Sequence, residues 1–346
     1  MYARVTAPHR IRFEDSPPSA ELPPGYVEVE LIYCGVCATD THHYALGGMV
    51  SPSIFGHEWV GTVSRCADDV GAVALGQRVV LAAGGPCGRC AMCLSGHAEH
   101  CDRVFADATG TTSEEPLHGG FATSLVLPAR RVMPVLDELS DIQAALIEPT
   151  AITFHAVRRT PQALGAVVVV QGAGPIGLLT AQHARHAGAG ALIVVEPSPE
   201  RRIAAEKLGF IEVHAPGGEA QARIADLSSG AGADVLYECT GVAEILQPST
   251  QLIRRGGVVS LLGFPMTDSQ VSYGAWQFKE ITVVGSLAWS RADFTGAMRA
   301  IADGSVRVDE LHTGTVPLDE LPVLLEELAS GNTAHAKVLV APRASA

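Results

Sequence analysis

A chain of 346 residues exceeds what one ordinary hydrophobic core supports, so two domains are expected. Hydrophobic residues make up 47% and charged residues 18%, which fits a soluble globular protein. With 37 acidic against 24 basic residues the formal charge is −13, and no Lys/Arg-rich run offsets it, which argues against a nucleic-acid or anionic-membrane partner.

The first fifteen residues mix charges and lack the apolar stretch of a signal peptide, and the longest apolar run, 166–170, is too short to cross a bilayer. The chain therefore reads as cytoplasmic. Strand-like segments follow at 26–33, 59–64 and 78–82, with Gly and Pro punctuating the gaps. The residues to about 150 thus form a β-rich domain. Around Glu148-Pro149 the texture changes to a helix at 151–159 and then alternating elements. Strands are expected at 167–171, 191–196, 235–239, 258–263 and 281–285, with helices at 176–187 and 200–208 among them. That spacing predicts an α/β class with a parallel, doubly wound sheet over 151–289. A helix at 291–302 and a strand at 336–341 close the chain.

Three motifs carry chemistry. Gly172-Ala-Gly174-Pro175-Ile176-Gly177 follows a short β-branched strand and opens a helix, the context that turns a glycine-rich string into a dinucleotide site. Glu196 stands nineteen residues beyond Gly177, where its carboxylate would accept from both adenosine ribose hydroxyls and repel a 2′-phosphate, favouring NAD over NADP. Arg201 and Arg202, just downstream, could hold a phosphate and temper that preference. The second motif is Cys87, Cys90 and Cys93 with Cys101 eight residues on. Four thiolates from one short loop close a tetrahedral zinc site; an iron–sulfur cluster is the chemical rival, but nothing else in the chain suggests electron relay. The third is scattered: Cys37-Ala-Thr39-Asp40-Thr-His42, then Gly56-His57-Glu58, then Glu148. Thiolate, imidazole and carboxylate together are the ligand mix of a catalytic zinc with an open position, although a lone Cys or His is more often structural.

In this order the motifs resemble the zinc-containing medium-chain dehydrogenase family, over roughly residues 25–341. The resemblance implies a GroES-like catalytic domain at 1–150 with a structural zinc lobe at 87–101, a Rossmann domain at 151–289, and a return of 290–346 to the catalytic domain. It makes Cys37 and His57 fixed ligands of a catalytic zinc, with Glu58 and Glu148 alternating beside them and Asp40 orienting the site. Glu148 stands where many alcohol-oxidising members carry cysteine, which is similar to the polyol, sugar and threonine dehydrogenase branch. Thr39 would take the substrate hydroxyl proton and pass it through the cofactor ribose to His42. Lys337 and Arg201 join the cofactor contacts. Two zinc ions and NAD are the implied cofactors, and a small hydroxyl or carbonyl compound bound between the domains is the implied substrate. A homodimer or homotetramer, paired across the strand at 281–285, is the implied assembly. A zinc-free reductase, a reductase acting on a carbonyl, imine or enone, and a non-catalytic nicotinamide-binding protein are the rival readings. The intact set Cys37, Thr39, His42, His57 and Glu148 weighs against the first and the last.

Overall fold

In this computed structural model residues 1–15, 21–47, 55–82, 86–109, 119–331 and 335–342 are described. The chain divides into two units, Met1–Glu148 with Ala288–Ala302 and Leu311–Ala346, and Pro149–Leu287 with Asp303–Glu310.

The first unit begins with an antiparallel hairpin of β1 (Tyr2–Ala7) and β2 (Arg10–Glu14). In β3 (Tyr26–Gly35) alternate residues Val27, Val29 and Leu31 are buried, the period-two pattern that a half-buried strand requires. A loop is expected over 37–42, but a helix, α1 (Ala38–Leu46), starts there instead. Its start is fixed by Asp40, whose carboxylate folds back to accept the Cys37 amide at 2.8 Å, and its end by Gly47 at φ 79°. Then come β4 (Glu58–Cys66) and β5 (Arg78–Leu81), the short helices α2 (Ala91–Leu94) and α3 (Asp102–Thr109), β6 (Ser124–Pro128), β7 (Val132–Pro134) and α4 (Asp141–Ala145). Trp59, Val63, Phe121 and Leu127 join the β3 residues in the core.

Helix α5 (Ile147–Arg159) leads to the second unit, in which β8 (Val167–Gln171), α6 (Pro175–His186), β9 (Ala191–Val195), α7 (Pro199–Lys207), β10 (Val213–His214) and α8 (Gly218–Leu227) alternate. The chain then returns through β11 (Ala233–Glu238), α9 (Leu246–Ser249), β12 (Ile253–Leu261), α10 (Tyr273–Lys279) and β13 (Thr282–Gly285). The six strands are all parallel, in the order β10-β9-β8-β11-β12-β13. Chain direction across the sheet reverses between β8 and β11, and the crevice beyond the carboxyl ends of these two strands is where such sheets bind ligands. The fold is the expected mixed α/β class. Helix α11 (Arg291–Ala302), β14 (His312–Pro317), α12 (Leu321–Ala329) and β15 (Lys337–Ala341) complete the first unit, whose main sheet runs β14-β15-β3-β4-β5-β7 with β6 also on β3.

Candidate functional site

Cys37, His57 and Glu58 converge because β3 and β4 are antiparallel neighbours with Gly35 opposite Glu58. Cys37 follows β3 as the residue before α1, and His57 and Glu58 lead into β4. The ligand atoms of the three lie within 4.8 Å of one another. Ligands about 2.0–2.3 Å from a tetrahedral ion are spaced by roughly 3.3–3.8 Å, so one zinc ion fits this set after a small contraction. Asp40 ties the loops together: one carboxylate oxygen takes the Cys37 amide, and the other takes the Gly56 amide at 3.2 Å and lies 3.8 Å from His57 Nδ1. Gly35 is indispensable to the packing, since a Cβ there would lie 2.3 Å from Glu58 Oε2.

Lys337 is the partner that residue spacing alone did not reveal. Its ammonium donates to both Glu58 oxygens, at 2.7 and 2.6 Å, and to the Val36 carbonyl at 3.0 Å. Expected among the cofactor contacts, it is 4% exposed and engaged with Glu58, which is 1% exposed. Glu148, in the first turn of α5, stands outside the 4.8 Å set but within its electrostatic field. Burial pushes its carboxyl up to about 8, with His57 and Lys337 opposing and Glu58 and Asp40 adding to the rise. For His57 burial works downward, yet Asp40, Cys37 and Glu148 together hold the imidazole well above its ordinary range. The surplus of acidic groups suits a divalent cation.

On α1 the buried residues are Asp40, His43 and Tyr44, while Thr39 is exposed and His42 half-buried. Thr39 and His42 are three residues apart and so share the accessible face of the helix. Burial lowers the His42 imidazole, keeping it neutral and able to accept a proton at neutral pH. His43 turns inward and stacks on Phe55 at 5.2 Å.

The four sulfur atoms of Cys87, Cys90, Cys93 and Cys101 also lie within 4.8 Å of one another. Backbone amides already point at them: Cys87 N to Cys101 Sγ and Cys90 N to Cys87 Sγ, both 3.3 Å. Burial works against the Cys101 thiolate, but amides of Cys87, Val104 and Arg103 overcome it and bring that thiol to about 6. Burial pushes Cys93 up to about 12. One zinc ion on four sulfurs fits this lobe. Of the remaining cysteines, Cys34 is buried, and Cys66 and Cys239 are half-buried.

In the second unit Gly172 (φ 93°) turns the chain out of β8, and Gly174 caps α6 with Pro175 and Ile176 opening the helix. A Cβ on Gly177 would lie 1.9 Å from the Gly172 carbonyl oxygen, whereas one on Gly174 would meet open space. The first is needed for packing; the second leaves room for a ligand to reach the backbone. Glu196, immediately after β9, is 3% exposed and accepts the amides of Ala173 at 2.7 Å and Ser198 at 2.8 Å. Arg201 lies half-buried in α7, while Arg202 donates to the carbonyls of Glu196 and Pro197.

A glycine-rich turn at the switch point of a parallel sheet, in a chain that also brings Cys37, His57 and Glu58 together, fits a nicotinamide-linked zinc dehydrogenase. Residues 23–137 match the alcohol dehydrogenase GroES-like domain, and residues 175–303 match the zinc-binding dehydrogenase domain. The chain is 31% identical over 333 residues to the "Probable D-xylulose reductase A" of Emericella nidulans, covering 93% of this chain and 91% of the relative. Among solved structures it is similar to 2R,3R-butanediol dehydrogenase from Bacillus subtilis, with a TM-score of 0.83, 28% identity and 99% of each chain covered. It also resembles a Sinorhizobium meliloti 1021 chain solved with NADP, with a TM-score of 0.84, 29% identity, and 99% of this chain and 98% of that one covered. The protein belongs to the zinc-containing medium-chain dehydrogenase/reductase family. It is an oxidoreductase acting on CH–OH groups of a small alcohol or on the corresponding carbonyl, with zinc and a nicotinamide dinucleotide as cofactors. Among the described residues no helix is long and apolar enough to cross a membrane.

Proposed function

We propose that this protein oxidises a secondary hydroxyl of a polyol, sugar-like or amino alcohol with NAD⁺. The observation that carries the reading is the convergence of Cys37, His57 and Glu58 beside a second buried carboxylate, Glu148. Relatives whose names specify xylulose and butanediol support the same substrate class. When bound, zinc supplies the Lewis acidity that acidifies the substrate hydroxyl, and the nicotinamide supplies the hydride acceptor. Cys37 and His57 hold the metal, with Glu58 and Glu148 as the adjustable carboxylates; Cys87, Cys90, Cys93 and Cys101 hold a second, structural zinc. Asp40 fixes the Cys37 amide and faces the His57 ring, so both ligands keep their aim. Thr39 receives the hydroxyl proton at Oγ1, and the neutral His42 imidazole on the same helix face delivers it to solvent.

Glu196 supports NAD over NADP, because a 2′-phosphate would face its carboxylate while Arg202 is already committed to backbone carbonyls. A homodimer or homotetramer is supported by β13, an edge strand of the sheet flanked by exposed Phe264, Tyr273, Phe278 and Leu287. The eight cysteines, all free, suit a reducing, cytoplasmic setting. The test is a substrate panel. Zinc-replete protein receives NAD⁺ or NADP⁺ with polyols, sugars, amino alcohols and simple secondary alcohols, beside a chelated sample and a Cys37→Ala control. Turnover with NAD⁺ on the polyol-like members, lost in both controls, is expected. Turnover that survives Cys37→Ala overturns the metal mechanism, and amine-dependent oxidation of NADH would replace the reaction class.

A further inference from the structure

Glu238 ends β11 directly across the switch point from the glycine-rich turn, level with Gln171 of β8 on one side and Leu261 of β12 on the other. It is a carboxylate buried to 4% exposure, and nothing in the reading above uses it. Its side chain accepts the Thr240 amide at 2.7 Å, the Thr240 hydroxyl, and the Gly241 amide at 3.2 and 3.3 Å. Its own carbonyl takes the amides of Leu262 and Gly263, each at 2.9 Å, where β12 ends. One residue therefore sets two loops at the carboxyl edge of the sheet.

The glycines around it show how closely those loops meet. A Cβ on Gly263 would lie 2.1 Å from the Gly241 amide nitrogen and 2.6 Å from Glu238 Oε2. Gly241, at φ 67°, faces the Phe264 carbonyl, and the Thr240 methyl reaches to 3.0 Å from where a Gly172 Cβ would stand. Displacing 240–241 thus displaces 263–264 as well. The β8-β9-β10 half of the sheet has its own anchor, since Glu196 holds the Ala173 amide and the Gly172 amide bonds to the Val195 carbonyl at 2.9 Å.

We infer that Glu238 is a positioning residue for the nicotinamide ring of the dinucleotide: its buried carboxylate holds loop 239–242 and its carbonyl the adjoining 262–264, together the platform for that ring. The inference rests on the dinucleotide reading given above, in which Glu196 takes the adenosine end. The two halves of the sheet flank one crevice, so the platform beyond β11 and β12 is left to the nicotinamide end.

ADP-ribose, which lacks the nicotinamide, separates this role from general support of the fold. Affinities for NADH and ADP-ribose are measured on the zinc-replete protein and on Glu238→Gln, which turns an amide NH₂ toward the N–H donors of the turn. Thr240→Val, which removes the hydroxyl's bond to the Glu238 carboxylate and its acceptance of the Val242 amide, carries the test if Glu238→Gln does not fold. NADH binding is expected to weaken about tenfold in Glu238→Gln, with ADP-ribose held within about twofold, as loss of one or two hydrogen bonds to a charged group implies. The shift in NADH emission on binding is expected to diminish, because it reports the environment of the nicotinamide ring. An equal weakening of both ligands, or unchanged NADH binding, overturns the inference. If the unmodified protein binds neither ligand, the dinucleotide reading itself fails, and this inference with it.

Discussion

The buried pair of Lys337 and Glu58 makes a quantitative claim that can be tested without substrate. Both side chains are almost wholly buried, and the ammonium spans both carboxylate oxygens. Removing either partner leaves the other as an uncompensated buried charge, at a cost of about 3–5 kcal/mol. Lys337→Met should therefore destabilise strongly, and so should Glu58→Met. The double variant leaves no orphan charge; its main loss is the hydrogen bond to the Val36 carbonyl, worth about 1 kcal/mol, with about as much again in repacking. The cycle should then return a coupling of at least about 3 kcal/mol. Trp59, 1% exposed and next in chain to Glu58, provides the signal for urea unfolding, with an unchanged slope as the check that midpoints report stability. A cation held by Cys37 and His57 also offsets the Glu58 charge, so the coupling should be larger after chelation than with zinc retained. A coupling below about 1 kcal/mol in the chelated protein would refute the reasoning, because it would make the pair no stronger than one on the surface.

Gly35→Ala places a methyl 2.3 Å from Glu58 Oε2, so the carboxylate must move; the expected result in a metal titration is weaker binding at one site, with the four-cysteine site unchanged. Cys101→Ser removes the thiol with the strongest amide support and should lower bound zinc from two ions to one, read by native mass spectrometry; retention of both would remove this lobe as a metal site. His183 is buried between the Thr150 carbonyl at 3.3 Å and the Phe154 ring, and burial pushes its imidazole down to about 4 from 6.5. The unfolded chain takes that proton first, so stability is full above about pH 6.5 and declines toward pH 4, by up to about 3 kcal/mol. His183→Leu should flatten that part of a stability-against-pH curve, and an unchanged slope would place the titration elsewhere.

The strongly patterned parts of the chain were legible before any coordinates. Val167–Gln171, the three glycines and Glu196 reveal the dinucleotide turn because strand, turn and helix each require those residue types in that order. Cys87 to Cys101 are legible because four ligands from one loop need no long-range contact to be recognised. The start of α1 was not, because a helix of nine residues with three buried side chains has little periodicity, and its first turn depends on one carboxylate reaching back to Cys37. The Lys337–Glu58 pair joins residues 279 positions apart in sequence. Only the antiparallel seating of β15 on β3 and of β3 on β4 brings them together, and no local pattern encodes that register.

That register also separates the two carboxylates near Cys37 and His57. Glu58 leaves β4 opposite a glycine and is clasped at both oxygens by Lys337, so its position is fixed and its charge already half spent. Glu148 has no such clasp in its electrostatic surroundings: burial and the neighbouring Glu58 and Asp40 favour its protonated form, up to about pH 8. The cluster thus keeps one carboxylate clasped in place and, at neutral pH, the other neutral and held in reserve. A cation reverses the balance for Glu148 first, since it replaces the acidic neighbours as the dominant nearby charge. Metal uptake should accordingly release a proton from Glu148, and that contribution should make the affinity of this site rise with pH up to about 8.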